Sequence, residues 1–382
     1  MKEPGGAPMA ATAKDWWLYR GAGEPAERLA RLHETPPPPW RDYPGTPDPA
    51  YQPPGCAGEG WERTLERGAG YVPDEAETDV VNTALYLRRP LLITGKPGVG
   101  KSTLAHSIAA DLGLGPVLHW PITSRTVRRD GLYLYDAIGR LQEANLDQLA
   151  RASASRSTAT TVTTTEAIST DGAPEPASSN GAPELASSIG RFLRLGPLGT
   201  ALLPQEQPRV LLIDEIDKSD IDLPGDLLTL FEDGGFEIPE LARLSSDTSE
   251  VDIATADAPD DLVRIRDGRV QCRYFPIVVL TSNGEREFPP AFLRRCVRLH
   301  LEAPGRDKLV RIIRQRLGVD VPEGSEYDRL LTDFLERSAE GDLATDQLLN
   351  AIQLRLSRTW GAEEDRKRFL ETVMQHLTGP SA

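Results

Sequence analysis

The segment Leu91-Leu92-Ile93-Thr94-Gly95-Lys96-Pro97-Gly98-Val99-Gly100-Lys101-Ser102 decides the fold. An apolar run of strand length ends in a glycine turn that satisfies G-x4-G-K-[ST]. A helical pattern with Leu104, Ile108 and Leu112 on one face follows. Strand, glycine turn and helix, in that order, are what phosphate binding requires. Glycines let backbone N–H groups curl around phosphate oxygens, and the helix N-terminus adds partial positive charge. The pattern predicts that Gly95, Pro97, Gly98, Gly100, Lys101, Ser102 and Thr103 surround the phosphates of ATP. Lys101 is expected on the β- and γ-phosphates and the Ser102 hydroxyl on Mg2+.

Two further strand ends carry matching chemistry. Val210-Leu211-Leu212-Ile213 runs into Asp214-Glu215. Taken alone, this is also what a strand ending in two solvated acids looks like. In the same fold as a phosphate loop, Asp214 is expected to hold the Mg2+ shell and Glu215 to polarise the attacking water. Ile277 to Leu280 leads into Thr281-Ser282-Asn283. Asn at a strand end is often a turn former, but its order after the acidic pair predicts that Asn283 orients the water beside Glu215.

Working outward, apolar runs at 90–94, 116–120, 210–213, 276–281 and 297–301 alternate with helical segments. This predicts an α/β domain over about 71–303, a parallel sheet with helices on its faces. Within it, 151–188 is largely Ala, Ser, Thr, Gly and Pro with almost nothing to bury, and reads as a disordered insert. The acidic stretch Asp247 to Asp261 reads as a second, shorter loop. After Pro304 the apolar spacing turns helical: Leu309, Ile312, Ile313, Leu317; then Tyr327, Leu330, Leu331, Phe334, Leu335; then Leu349, Ile352, Leu356; then Phe369, Val373, Leu377. That is a small all-α bundle over 304–382. Residues 1–70 differ from the rest, with Trp16-Trp17-Leu18-Tyr19, a helical candidate from Glu27 to Leu32, the stiff run Pro36 to Pro39, and Trp40 and Trp61. These tryptophans need a surface to dock on, either this chain's own core or a partner.

The bulk numbers bound the function. A formal net charge of -15 over 382 residues argues against a general nucleic-acid binder. A local basic patch at Arg125, Arg128 and Arg129 reads more simply as a solvated or ATP-facing loop. Cys56, Cys272 and Cys296 have no CxxC spacing, which fits neither a disulfide framework nor a zinc site, and the histidines are scattered singly. With no basic leader followed by an apolar run, and no span of membrane length, the cytoplasm is the default expectation and no membrane partner is expected.

Taken with Pro290-Ala291-Phe292-Leu293-Arg294-Arg295-Cys296, the three strand-end motifs resemble those of an AAA+ ATPase over about residues 71 to 378. The subfamily most similar is the MoxR-like group with its dynein-related relatives. Gly196-Pro197-Leu198-Gly199 resembles the sequence after that group's helix-2 insert. Leu230-Phe231-Glu232-Asp233-Gly234, followed by Phe236 to Pro239, resembles its helix and hairpin before the last core motif. The resemblance implies an arginine finger at Arg295, with Arg294 as runner-up, reaching the γ-phosphate bound by a neighbouring subunit. It also implies a hexameric homo-oligomer and a lid domain. One departure stands out: where the family carries a sensor arginine at the start of a lid helix, Gly341 to Leu348 has none, leaving Arg355, Arg358 or a different lid response. The segment from His119 to Arg140 reads as a partner- or substrate-facing surface, or as loop packing.

The leading functional expectation is an ATP hydrolase that remodels a protein partner as a ring. The resemblance suggests a chaperone-like role beside a protein with a von Willebrand factor A-type domain. The alternative is a slow ATP-dependent switch or scaffold in a multi-protein bacterial signalling or defence system. A small-molecule kinase has no use for the Asp214-Glu215 pair followed by Asn283, and no N-K-x-D motif supports a GTPase.

Overall fold

The computed structural model of the protein describes residues 14–21, 25–159, 189–244, 250–258, 260–340 and 343–356. The helices, in chain order, begin with α1 (Pro25–Glu34), α2 (Gly58–Gly68), α3 (Glu75–Leu87), α4 (Lys101–Leu112), α5 (Arg128–Leu132) and α6 (Ala137–Ala159). They continue with α7 (Pro197–Ala201), α8 (Leu223–Asp233), α9 (Pro239–Ala242), α10 (Pro290–Arg295), α11 (Arg306–Leu317), α12 (Glu326–Glu340) and α13 (Thr345–Leu356). The strands are β1 (Leu91–Gly95), β2 (Leu118–Pro121), β3 (Tyr133–Tyr135), β4 (Leu193–Leu195), β5 (Val210–Asp214) and β6 (Gly235–Glu237). After them come β7 (Glu250–Ala254), β8 (Leu262–Arg266), β9 (Arg269–Gln271), β10 (Ile277–Ser282) and β11 (Val297–Leu301).

The five apolar runs become one parallel sheet in the order β11-β1-β10-β5-β2. Register places Thr94 opposite Ser282, and Ile213 opposite both Leu280 and Trp120. The carboxyl ends of β1, β5 and β10 therefore finish side by side, and the three motifs end on one edge. Alternation along each strand sends neighbours to opposite faces. Leu92, Leu211, Ile213 and Leu280 pack into one apolar cluster, while Leu91, Ile93, Val210, Leu212 and Val279 pack into the other. Truncating one such residue to Ala costs about 2–5 kcal/mol.

A second, six-stranded sheet, β3-β4-β7-β8-β9-β6, was not expected from the sequence. It corrects the reading of Asp247 to Asp261 as a loop. Glu250–Ala254 is a strand antiparallel to β8, with Val251 and Ile253 buried and Glu250 and Asp252 outward. The outward acids meet Arg264 and Arg266 across the ladder, so the charge that suggested a loop is half of a cross-strand pairing pattern. The stretch read as an insert from 151 is corrected at its start, because α6 continues through Ala159; positions 160–188 lie outside the described residues.

The N-terminal region packs on the α/β domain. Leu18, Tyr19 and Leu32 belong to the same cluster as α4. Asn82 on α3 clamps the strap: its Oδ1 accepts from Leu18 N at 2.7 Å and Tyr19 N at 2.9 Å, and its Nδ2 donates to Tyr19 O at 2.8 Å. The Trp17 indole donates to Asp79 at 2.7 Å, and Trp61 is buried on α2. The docking surface for these two tryptophans is thus the chain's own core, whereas Trp16 and Trp40 stay exposed. In the lid, Leu309, Ile313, Leu331, Phe334, Leu348 and Ile352 join α11, α12 and α13. Phe369, Val373 and Leu377 lie outside the described residues. Among the described residues no helix is long and apolar enough to cross a membrane.

Candidate functional site

The loop between β1 and α4 turns through left-handed backbone at Gly98 (φ 75) and Gly100 (φ 99), which side chains other than glycine adopt at a cost. Pro97 forms its exposed crest. Lys101 opens α4 and is buried, its ammonium donating to Gly95 O at 2.8 Å, Lys96 O at 2.9 Å and Asn283 Oδ1 at 2.7 Å. Burial pushes its pKa down, against the pull of Asp217, Asp214 and Glu215.

Ser102 faces the end of β5 and donates to Asp214 Oδ1 at 2.7 Å. Thr281 donates to the same oxygen at 2.6 Å, and His119 Nε2 lies 3.3 Å from Oδ2. Burial alone would raise the Asp214 pKa, but the bonds from His119, Thr281 and Ser102 outweigh it and hold the group at about 2. Asp214 is therefore ionised at neutral pH. Glu215 has φ 62, unusual for a residue with a side chain. Its N–H donates to Thr281 Oγ1 at 2.8 Å, and its carboxylate accepts from Lys218 at 2.7 Å.

The structure brings Lys101 to Asn283 and Ser102 to Asp214 at adjoining strand ends, a cluster with Glu215 at its margin. Three contributors escaped the sequence reading as site residues. Thr281 links the two strand-end acids. Buried Asp217 accepts from the backbone N–H groups of Asn283 at 2.9 Å and Glu285 at 3.1 Å, fixing the turn that carries Asn283. His119 is the third, at the end of β2. The signals were present in Asp214-Glu215-Ile216-Asp217 and Thr281-Ser282-Asn283, but using them requires knowing that β5 and β10 are neighbours.

The donor set fits Mg2+ only in combination with phosphate. Among the described residues no group of three or more His, Cys, Asp and Glu could hold a metal alone. A hydroxyl and one carboxylate are what a hard cation needs when phosphate oxygens complete its shell. Beside the loop, a cavity of about 150 Å³ opens between the lid and the α/β domain, lined by Tyr71, Gly98, Thr103, Lys308, Thr345 and Leu349 among others. Lys308 crosses from the lid to Asp74 at 2.9 Å and Glu77 at 2.6 Å. At the start of α13 the cavity wall is Thr345 and Asp346. Arg355 lies ten residues further along the helix, roughly 15 Å away at 1.5 Å per residue, and pairs with Glu326 at 2.6 Å. Arg358 lies outside the described residues.

Arg294 and Arg295 are not part of this cluster. They end α10 just before β11, whose Val297 pairs with Leu91 while Leu301 pairs with Gly95. The pair therefore sits at the amino end of the sheet, about 13 Å of strand from the loop edge. Arg295 bonds Glu232, and Arg294 is exposed. Of the basic patch, Arg129 pairs with Glu240 at 2.7 Å and lies over the Tyr133 ring, whereas Arg125 and Arg128 are exposed.

A phosphate loop, an ionised strand-end aspartate and a strand-end asparagine on one parallel sheet, followed by a helical lid, define a P-loop nucleotide-binding protein of the AAA+ class. A family model for the AAA domain of the dynein-related subfamily matches residues 90–296, more than half of the chain, and the protein belongs to that family. No curated protein matches the chain.

Proposed function

We propose that the protein hydrolyses ATP with Glu215 as the water-polarising base, and that it does so in a ring of identical subunits. The observation that carries this reading is the convergence of Lys101, Ser102, Asp214 and Asn283 at adjoining strand ends, with Glu215 next in the chain. Lys101 would give up its two backbone carbonyls for β- and γ-phosphate oxygens, which neutralise its charge far better. Glu215 would take a proton from water as the water oxygen bonds to the γ-phosphorus and the bond to the β-bridging oxygen breaks. Bound Mg2+, held by Ser102 and Asp214, would supply charge neutralisation on the phosphate oxygens. Asn283, fixed through Asp217, would orient the water.

The position of the arginine pair supports action between subunits. Arg295, with Arg294 as runner-up, is too far along the sheet to reach its own γ-phosphate and would exchange Glu232 for a neighbour's. On this reading turnover moves a protein partner, and the MoxR-like resemblance suggests a chaperone-like task beside a von Willebrand factor A-type domain protein. A slow ATP-operated switch is the second reading. It draws on the Glu215 carboxylate being tied to Lys218 and on Thr345 and Asp346 standing where a lid arginine is usual.

Steady-state ATPase assays of single and mixed variants test both. Glu215→Gln should keep ATP binding and lose about 10²–10⁴ in turnover. Arg295→Ala should keep binding and lose up to about 10³–10⁵. Mixing the two should restore some activity, because some interfaces pair an intact Glu215 with an intact Arg295. Dead mixtures of soluble, co-assembling variants would rule out the shared site. Negligible wild-type turnover with ATP-driven assembly would favour the switch.

A further inference from the structure

At the amino end of the parallel sheet an open groove of about 510 Å³ is walled by Trp40, Arg41, Arg89, Glu232, Arg294 and Arg295. Four guanidinium groups meet one carboxylate there, in a chain of net charge -15. Glu232 is already engaged by Arg295, while Arg89 and Arg294 are exposed and have no side-chain hydrogen bond or ion pair among the described residues. Trp40 is 66% exposed, yet it does not ride on a loose tail. The next residue, Arg41, is buried, lies 4.6 Å over the Phe275 ring, and donates to the Tyr43 hydroxyl at 2.9 Å and to the carbonyl of Phe231. Tyr43 in turn donates to the carbonyls of Phe231 and Glu232, each at 3.1 Å. The N-terminal segment is thus fastened to the end of α8, beside the residue that holds Arg295.

The opposite edge has complementary chemistry. After β5 and β10, two loops beside the nucleotide cluster expose Asp220, Asp222, Glu285 and Glu287, with Ile221 64% exposed between the two aspartates. Arg286 ties these loops together through Ser219 O at 2.6 Å. The groove is basic with a protruding aromatic ring, and these two loops, four acids against Lys218 and Arg286, are acidic with a protruding aliphatic one. Complementary patches at opposite ends of one chain favour a head-to-tail contact between copies.

We propose that the groove receives the nucleotide-bearing edge of a second copy of this chain, with Trp40 packing on Ile221 of that copy and Arg89 pairing with its acidic loop. The N-terminal segment would then help build the neighbour's ATP site, beyond whatever Arg294 and Arg295 supply. This rests on the ring reading above.

The test is sedimentation velocity with saturating ATP in a Glu215→Gln background, where turnover is slow. Trp40→Ala and Arg89→Glu should each raise the protein concentration for half-assembly by about tenfold or more, equivalent to about 1.4 kcal/mol. Both side chains are exposed, so melting temperature and binding of a fluorescent ATP analogue by protomers should not change. Adding Asp220→Arg and Asp222→Arg to Arg89→Glu should recover assembly, since the charges are then exchanged across the contact. If Trp40→Ala and Arg89→Glu assemble like their parent while Arg295→Ala loses activity, this inference fails and the ring reading survives. A parent that stays monomeric with ATP overturns both.

Discussion

Thr281 stands between the two strand-end acids, its hydroxyl donating to Asp214 Oδ1 at 2.6 Å while it accepts the N–H of Glu215 at 2.8 Å. One buried oxygen on β10 thereby fixes both the carboxylate expected at the metal and the left-handed backbone of the residue expected to activate water. Thr281→Val keeps the shape and removes the hydroxyl, leaving a buried donor unpaired at about 1–3 kcal/mol. We expect turnover to fall about 10–100-fold with ATP affinity within a few-fold of wild type, and Thr281→Ser to retain most activity. Single-turnover hydrolysis beside equilibrium ATP binding separates the two effects; unchanged hydrolysis in the Val variant would refute the role.

His106 makes stability fall on mild acidification. It is buried in α4, and burial, helped by Arg67 and His119, pushes its pKa down from 6.5 to about 4. The folded-state pKa lies below the unfolded one, so between pH 6.5 and 4 the unfolded chain binds the extra proton. The stabilisation is present above pH 6.5 and is lost as pH falls toward 4. From pH 7 to pH 5 the loss from this group is about 2 kcal/mol. Urea unfolding at both pH values measures it, and His106→Gln should flatten the difference. An equal slope in the variant would assign the effect elsewhere.

Asn82 holds the N-terminal strap to the α/β domain through three hydrogen bonds to Leu18 and Tyr19. Asn82→Leu would strand the N–H groups of Leu18 and Tyr19 in an apolar interior. We expect a loss of about 2–4 kcal/mol in urea unfolding. A loss below about 1 kcal/mol would mean that the strap contributes little to folding.

Lys308 closes the lid onto α3 through Asp74 and Glu77, in a position mostly shielded from solvent. Among the described residues, Lys308→Met would leave Glu77 with the Tyr71 hydroxyl and the Asp74 N–H as its donors. ATP affinity should drop several-fold, roughly 1 kcal/mol, while Lys308→Arg keeps most of it. Titration with a fluorescent ATP analogue checks this, and because the pair is shielded the effect should survive raised salt.

The parallel sheet and its three strand-end motifs were legible because short apolar runs, each followed by a chemically distinctive tail, leave little room for another reading. The second sheet was not. Its strands are three to five residues long, and in β7 the outward Glu250 and Asp252 masked the inward Val251 and Ile253 until Arg264 and Arg266 were seen opposite them. Asp217 and Thr281 went unassigned for a related reason. Each acts on a residue 66 or 67 positions away in the chain, and only the pairing of β5 with β10 makes those positions adjacent.

Gly98 meets the lid at Ala344, and the fit is tight enough that a Cβ on Gly98 would stand 2.2 Å from the Ala344 methyl. Two of the smallest residues thus bring the phosphate loop and the head of α13 together with no play between them. A loop that shifts by a fraction of an ångström must carry the lid with it, because packed atoms resist compression far more steeply than they attract. Such a linkage needs no charged messenger, and this chain offers Thr345 and Asp346 where an arginine would otherwise serve. Its lid would follow the loop as a wedge follows a hinge.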